Sequence, residues 1–211
     1  MPEVKKILLS IAYLGPVEYF ASIAKADEVI VEKQEHYIKQ TYRNRCLIAT
    51  TNGMQALTIP VVKVNGNRTQ VKDIQIAYFE KWQMNHWRTI ESAYSHAPYF
   101  LFYQDAIFPF YQKKFKFLFD FNHELLDLIL DFIRIVIPIS FTDKYQLPVN
   151  DGVLDLRNAF SPKKKTGLSF PRYIQVFEEK YGFLENLSIL DLLFNEGPGA
   201  MAYLLSLSST N

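Results

Sequence analysis

Residues 7–32, ILLSIAYLGPVEYFASIAKADEVIVE, set the order of the first secondary-structure elements. The apolar run at residues 7–12 predicts a fully buried strand. Gly15 breaks this run, and Pro16 suits the first turn of a helix, because the N–H that proline lacks would be unpaired there. Apolar residues then recur at helical spacing until residues 28–32, EVIVE, predict a second strand. Strand, helix and strand in so short a span indicate a βαβ unit, whose strands run in parallel with a right-handed crossover.

Outside that unit, the chain predicts further strands and a helical middle section. Asn52-Gly53 predicts a hairpin over residues 46–60, because both positions of a two-residue hairpin turn need φ above zero. A short strand is expected at residues 71–76. In a helical section spanning residues 81–137, the spacing of apolar residues predicts three helices. They cover residues 81–95, 100–111 and 114–136.

The C-terminal third gives weaker signals. Residues 138–170 carry the weakest pattern of the chain, and residues 173–177 alternate as a short strand does. Asn186 or Ser188 is expected to cap a helix, which ends at the Gly-Pro-Gly of residues 197–199. Together these patterns predict a single α/β domain covering all 211 residues. Its mixed sheet starts with a parallel βαβ unit, and a β-hairpin and the helical middle section follow.

The composition narrows the classes of protein. Aromatic residues make up 15% of the chain, which argues against disorder. The net charge is +1 and residues 163–165 form the one basic cluster, so no nucleic-acid partner is expected. The lone Cys46 allows neither an internal disulfide nor a cysteine-ligated zinc ion. It favours a reducing compartment, so a cytoplasmic location is expected.

No membrane span is expected from the sequence. The N-terminal stretch MPEVKKILLSIAYLGP has a weak likeness to a signal peptide, but no small-residue cleavage site follows its apolar run. A buried first strand is therefore the interpretation. The most apolar later stretch contains Asp120, Glu124, Asp127, Asp131 and Arg134. Because a membrane span needs about 20 residues with few or no charges, this stretch predicts a core helix with a solvated acidic face.

The loops after the first two predicted strands hold the densest group of polar residues. Tyr13 follows the first strand, and Glu32 followed by residues 33–45 comes after the second. The carboxyl ends of parallel strands meet at one edge of a sheet, which is where ligands bind in open α/β sheets. Both loops are therefore expected to open at the same edge. A solvated loop with structural arginines and tyrosines is the alternative.

The side chains of these loops suit a sugar or a nucleotide. Arg43 and Arg45 are expected to hold an anionic group through parallel hydrogen bonds, and Tyr13 and Tyr37 to lie against the substrate. Glu32 is the candidate acid or base. The predicted substrate-binding residues at this edge are Tyr13, Gln34, Tyr37, Arg43, Asn44 and Arg45.

Two further candidates lie outside these loops. His86 is a second catalytic candidate because histidine titrates near neutrality, although a packed core histidine between two tryptophans is the alternative. Arg172 is a candidate for binding an anion near a helix N-terminus. The four histidines are scattered, so no metal site is expected, and no phosphate-binding glycine loop or nucleophile elbow occurs. No cofactor follows from these residues.

Several stretches of the chain resemble the WbqC-like protein family in its shorter form. They are YLGPVEYF at residues 13–20, YRNR at 42–45, LTIPV at 57–61, WQMNHWR at 82–88 with SAY at 92–94, and NLSILDLLFN at 186–195. The resemblance implies a link with O-antigen and other surface-polysaccharide biosynthesis, without a settled reaction. Longer relatives begin with His-Gln-Pro-x-Tyr-Leu-Pro, a start similar to that of nucleotidyl-transfer enzymes. In the aligned residues 9–15, Tyr13 is kept and Leu9 replaces the histidine.

Two functions are expected on these grounds. The first is binding of a small-molecule ligand, a sugar nucleotide or a similar phosphorylated metabolite, with sugar transfer as the reaction if the protein is an enzyme. The second is a non-catalytic interaction module of a glycan-assembly complex, which the aromatic residues of residues 100–111 favour. Their solvent accessibility distinguishes the two, since exposed aromatic residues would form a partner surface. The sequence leaves open whether the protein catalyses a reaction and which oligomer it forms.

Overall fold

The computed structural model describes residues 5–149 and 151–209. The strands in these ranges are β1 (Lys6–Ser10), β2 (Glu28–Glu32), β3 (Arg45–Thr50), β4 (Gly53–Thr58), β5 (Val61–Val62), β6 (Gln75–Ile76), β7 (Ile139–Phe141), β8 (Val153–Asp155), β9 (Leu168–Ser169) and β10 (Ser208–Ser209). The α-helices are α1 (Val17–Ala24), α2 (Trp82–Tyr94), α3 (Phe100–Ile107), α4 (Leu118–Phe132), α5 (Glu178–Tyr181), α6 (Ile189–Glu196) and α7 (Ala200–Ser206).

Four parallel strands, in the order β7-β2-β1-β8, form the largest sheet of the described residues. β1 and β2 pair in register from Lys6 with Glu28 to Ser10 with Glu32, which confirms the predicted βαβ unit and the shared edge of its loops. β7 extends the sheet beyond β2, whereas β8 adds on the opposite side of β1. The strand order therefore reverses beside β1, and such a switch point leaves a crevice at the carboxyl ends of the strands.

The two faces of this sheet are covered differently. Successive side chains of a strand point to opposite faces. Four side chains on one face have no exposed surface: Ile7, Leu9, Val29 and Val31. On the other face, Leu8, Ile30 and Val153 line a cavity together with parts of residues 142–149. Parallel sheets are normally covered on both faces, so the covering of this second face by a loop creates the space described below.

The helical middle section packs on the first loop through aromatic rings. The ring of Phe121, in α4, lies 5.8 Å from the rings of Tyr13 and Trp82 and 5.1 Å from that of Phe115, measured between centroids. Phe121 and Tyr13 are fully buried. Much of the high aromatic content therefore stabilises the junction between the helical section and the loop after β1, since large buried aromatic side chains contribute strongly to core packing.

The hairpin lies where the sequence predicts it, but its turn is shifted by one residue. β3 and β4 pair as far as Thr50 with Gly53, so Thr51 and Asn52 form the loop. Only Gly53 has a positive φ, +94°, and Asn52 does not. The expectation of positive φ at both Asn52 and Gly53 is therefore wrong. A turn followed by a glycine with positive φ is another common way to close a hairpin.

Two predicted strands differ from the observed structure. In place of a strand at residues 71–76, a 3₁₀ turn at Val71–Asp73 precedes the two-residue β6. Residues 173–177 form no strand. Tyr173 and Gln175 alternate inward because both donate hydrogen bonds to the carboxylate of buried Asp191. Side-chain bonding to one acid, rather than strand pairing, therefore produces the alternating pattern.

The boundaries of two helices also differ. α4 ends at Phe132, so Val136 lies beyond it and is 95% exposed rather than part of the apolar stripe. Pro16 precedes α1 and forms an isolated bridge with Ser188 instead of occupying the first helical turn. Ser188 caps α6 as predicted, since its hydroxyl oxygen accepts a hydrogen bond from the backbone N–H of Leu190. Its hydroxyl also donates to the Leu14 carbonyl, which ties α6 to the loop after β1.

Candidate functional site

A cavity of about 330 Å³ lies over one face of the parallel sheet and reaches the carboxyl ends of its strands. Its floor is apolar and consists of Leu8, Ile30 and Val153. Its wall holds Glu32, from the end of β2, and Arg157, which follows β8. The rim is formed by the loop after β7, through Thr142, Asp143, Lys144 and Gln146. The volume lies in the range of small-molecule sites, which combine a largely apolar lining with a few placed polar groups.

Glu32, the predicted acid or base, is fully buried in the cavity wall. Its Oε1 accepts hydrogen bonds from the backbone N–H of Gln34, at 2.8 Å, and from the hydroxyl of Thr142. Its Oε2 accepts from Nη1 of Arg157 at 3.0 Å. A buried carboxylate is costly unless it is paired and hydrogen-bonded. These three donors meet that requirement and hold the carboxylate in one orientation.

Arg157 connects two carboxylates and the covering loop. Its Nε and Nη2 donate to the two carboxylate oxygens of Asp155 at 2.9 and 2.6 Å, a bidentate pair. Its Nη2 also donates to the carbonyl of Gln146, and its guanidinium lies 4.6 Å from the ring centroid of Tyr145. Hydrogen bonding to Asp155, and more weakly to Glu32, raises the pKa of Arg157, and Arg157 lowers the pKa of Asp155.

A second buried ion pair lies beside the first. Nε and Nη2 of Arg43 donate to the two carboxylate oxygens of Glu35 at 2.8 and 2.6 Å. Nη2 of Arg43 also donates to Oγ of Ser10, whose hydroxyl donates to the carbonyl of Arg157. The two ion pairs are thus joined through the last residue of β1. Because Glu35 and Ser10 engage the guanidinium, Arg43 holds the loop after β2 against the sheet edge.

A second cavity of about 330 Å³ adjoins this network. It is lined by Gln34, Glu35, His36, Ile38, Gln70, Tyr145 and Asn158. The ring of Tyr145 that lines it also stacks on Arg157, which lines the first cavity. The contact between Arg157 and Tyr145 therefore lies between the two cavities, and the sheet edge presents two neighbouring concave surfaces.

Tyr13 and His86 lie together, but in the core rather than in either edge cavity. The hydroxyl of Tyr13 lies 3.0 Å from Nδ1 of His86 and 2.8 Å from the hydroxyl of Tyr111. Burial lowers the pKa of His86 to about 4, partly opposed by a hydrogen bond to the Thr58 backbone. Burial and the neighbouring Tyr111 raise the pKa of Tyr13. At neutral pH both side chains are uncharged and link α2 to the loop after β1.

The remaining predicted site residues are spread over the molecule, and none of them lines the two edge cavities. The pKa of buried Tyr37 is raised to about 12 by burial. The amide of Asn44 donates to a backbone carbonyl. The buried Nε of Arg45 has no hydrogen-bond partner in the described residues. Arg172 is largely exposed and forms an ion pair with Glu178 at 2.6 Å.

Sequence reasoning missed the contribution of residues 138–170 to this edge. Thr142, Lys144 and Arg157 all lie in that weakly patterned stretch. A weak local signal exists at residues 152–157, where a glycine precedes an apolar pair and Asp155 and Arg157 flank a leucine after it. A three-residue strand is too short for apolar periodicity to distinguish from a loop, so this signal alone predicts neither β8 nor the position of Arg157.

The described ranges offer neither a metal centre nor a membrane helix. In them, no three His, Cys, Asp or Glu side chains are grouped as metal ligands would be. No helix among them has the length and apolarity required to cross a bilayer. Cys46 is buried, and burial raises the pKa of its thiol. Since the thiolate is the reactive form of cysteine, Cys46 acts as a packed core residue.

The fold and the edge cavity define a mixed α/β protein with a ligand-sized cavity at the carboxyl ends of a parallel sheet. The sequence model of the WbqC-like protein family matches residues 12–165, and the chain belongs to this family. It is 30% identical to the uncharacterized protein Rv1507c of Mycobacterium tuberculosis, over 88% of this chain and 91% of that protein. No solved structure shows a significant match to the chain.

Proposed function

We propose that the protein binds an activated sugar, or a similar phosphorylated metabolite, in the edge cavity and serves surface-polysaccharide biosynthesis. The observation that carries the proposal is the cavity of about 330 Å³ between the Glu32–Arg157 ion pair and the apolar sheet face. It lies at a switch point of a parallel sheet, which is the common ligand position in open α/β folds. Membership of the WbqC-like family is consistent with this role.

The chemistry of the cavity suits a ligand with an apolar face and a charged end. Leu8, Ile30 and Val153 offer an apolar floor for a sugar ring or a base. Lys144 is exposed on the rim and forms no ion pair in the described residues, so its ammonium is available for a phosphate. Asp143, also on the rim, can accept hydrogen bonds from sugar hydroxyls.

The predicted residues take different roles in this proposal. Glu32 and Gln34 form part of the two edge cavities, and Glu32 orients Arg157 and Thr142. Arg43 acts as a positioning residue through Glu35 and Ser10. Lys144 is proposed to bind the phosphate, in place of Arg43 and Arg45, to which the sequence analysis assigned this role. Glu32 is already bonded to three donors, so ligand binding is proposed ahead of catalysis, and transfer of the sugar is the reaction expected if catalysis occurs.

A thermal-shift panel of nucleotide sugars and sugar phosphates tests the proposal. A ligand at 100 times its Kd stabilises the folded state by about 2.7 kcal/mol, which raises Tm by roughly 5–10 °C for a chain of this size. Lys144→Ala is expected to reduce that shift, and the exposed Lys165→Ala serves as the matched control. A panel without any shift, or equal shifts in both variants, contradicts the proposal.

The second candidate function is a non-catalytic module of a glycan-assembly complex. Leu101 and Phe102 in α3 are 69% and 79% exposed, which favours a partner surface. Phe100 and Tyr111, by contrast, are buried and belong to the core. If this role dominates, Phe102→Ser prevents co-purification of glycan-assembly proteins while Lys144→Ala retains it, and no sugar ligand shifts Tm.

A further inference from the structure

The exposed face of α2 carries a groove formed by two adjoining cavities, called the α2 groove below. Two cavities, of about 550 and 220 Å³, lie along this face and are both lined by Arg88. The larger extends towards Lys81 at the start of α2, and the smaller towards Ser92 near its end. Residues 81 and 92 are separated by about 16 Å along a helix that rises 1.5 Å per residue. The groove therefore suits an extended ligand, and it shares no lining residue with the two edge cavities.

Charge in this groove is mainly positive. Lys81, Arg88 and Lys114 line it, and Glu80 is the one acid among its lining residues. In the described part of the chain, neither Lys81 nor Arg88 forms an ion pair or a side-chain hydrogen bond. Nζ of Lys114 lies 5.3 Å from the ring centroid of Tyr78. An exposed, unpaired guanidinium in a concave surface is suited to a carboxylate or a phosphate, to which it can donate two parallel hydrogen bonds.

The other polar side chains of the groove both donate and accept hydrogen bonds. Among them, Thr50, Gln83 and Thr89 already donate to backbone carbonyls. Within the described ranges, no other residue engages the side chains of Asn52, Gln55, Asn85, Ser92 and Gln112. Amides and hydroxyls of this kind match the hydroxyl groups of a carbohydrate, which also donate and accept.

We infer that the α2 groove binds an acidic oligosaccharide, with Arg88 at its midpoint holding an acidic group. A single-stranded nucleic acid is the other extended anion to consider, and it would need open aromatic faces on which bases stack. The aromatic lining residues do not provide them. Tyr111 is buried, and the ammonium of Lys114 lies over the ring of Tyr78. Charge and hydrogen-bonding capacity without stacking surfaces therefore favour an acidic saccharide.

Isothermal titration calorimetry with four probes tests this inference. The probes are an oligogalacturonide, a phosphorylated maltooligosaccharide, a neutral maltooligosaccharide of the same length and a single-stranded oligonucleotide of similar charge. At least one acidic saccharide is expected to bind, and to bind more weakly as salt rises. Arg88→Ala should weaken that binding about tenfold or more, the loss expected for one charged hydrogen-bonding group.

Three matched variants separate this site from other effects. Arg68→Ala removes another exposed arginine outside the groove and should leave the affinity within about twofold of wild type, since surface charges contribute little. Arg88→Ala should remain folded because alanine is the best helix former, as circular dichroism would verify. Lys144→Ala should bind the acidic saccharide normally, which keeps this result independent of the edge cavity.

Several outcomes would overturn the inference. Absence of binding by both acidic saccharides is one, and equal affinity of Arg88→Ala and Arg68→Ala is another. Equally tight binding of the neutral maltooligosaccharide would show that the charge of the ligand does not contribute to binding. Tighter binding of the oligonucleotide than of either acidic saccharide would assign the groove to a different ligand.

Discussion

At the scale of single residues, breaking the Arg157–Glu32 ion pair is expected to reduce the stability of the folded protein strongly. Both side chains are almost completely buried, so loss of one partner leaves an uncompensated charge inside the protein. Arg157→Leu is therefore expected to lower the free energy of unfolding by about 3–5 kcal/mol. The double variant Glu32→Leu, Arg157→Leu should recover much of that loss, because no unpaired charge remains at Glu32. Urea denaturation measures both values.

Arg172, which pairs with Glu178 on the surface, provides the matched control. Its side chain is 69% exposed, so Arg172→Ala should cost no more than about 1 kcal/mol. Equal losses in Arg157→Leu and Arg172→Ala would contradict the assignment of a buried, structurally essential ion pair at the sheet edge. A double variant less stable than Arg157→Leu alone would contradict it too.

His86 links the stability of the protein to pH. Burial holds its pKa at about 4 in the folded protein, against 6.5 for the free side chain. Between these values the unfolded chain binds the proton more strongly, so the folded state loses stability as pH falls from 6.5 to 4. The shift corresponds to roughly 3 kcal/mol across that window.

His86→Asn removes this titration and keeps an amide near Tyr13. The variant is expected to show a flatter dependence of unfolding free energy on pH between 6.5 and 4 than the wild type, even if its stability at pH 7 is lower. Urea denaturation at successive pH values provides the comparison. Identical slopes in the two proteins would mean that His86 has the same pKa in the folded and the unfolded state.

At the scale of secondary-structure elements, Asp191 joins three parts of the chain. Its Oδ1 accepts from the hydroxyl of Tyr94 in α2, and its Oδ2 accepts from the hydroxyl of Tyr173 and the amide of Gln175. Burial raises the pKa of Asp191, and the three donors lower it in part. The acid therefore fixes α6 against α2 and against the irregular segment that follows β9.

Replacing Asp191 tests this joint. Asp191→Leu leaves the buried hydroxyls of Tyr94 and Tyr173 without an acceptor, whereas the amide of Gln175 keeps the Leu184 carbonyl. At 1–3 kcal/mol for each hydroxyl, the loss should be about 2–6 kcal/mol. Tyr173→Phe removes one donor and leaves no acceptor without a partner, so about 1 kcal/mol is expected. Thermal unfolding of both variants measures the difference. Comparable Tm values for Asp191→Leu and Tyr173→Phe would show that the other two hydrogen bonds contribute nothing.

The elements differ in how far sequence alone predicts them. The first βαβ unit could be predicted from residues 7–32, because a mostly apolar run, a Gly-Pro break and a second apolar run leave few alternatives. The sequence offers both Asn186 and Ser188 as the cap of α6, because both residue types are preferred at this position, and the structure selects Ser188. The turn at Gly53 was displaced by one residue because two kinds of hairpin turn use the same dipeptide. Tyr173 and Gln175 alternate as strand residues do because both bind Asp191, a long-range contact that the local sequence pattern does not reveal.

At the scale of the whole molecule, the candidate site also combines residues that the sequence predicts with residues that it does not. The sequence located one half of it, because Glu32 and Gln34 follow a recognisable strand. The other half comes from β8 and the loop after β7, which bring Arg157 and Lys144 to the edge from more than 100 residues away. Contacts of such separation depend on the register of short strands, which a single sequence does not reveal.

We propose that a phosphorylated ligand occupies the cavity between Glu32, Lys144 and the floor at Leu8 and Ile30. A crystal structure of the complex with the nucleotide sugar or sugar phosphate that raises Tm most would test it directly. Ligand density is expected over that floor, with a phosphate oxygen within hydrogen-bonding distance of Nζ of Lys144. Density elsewhere, with the edge cavity empty, would contradict it.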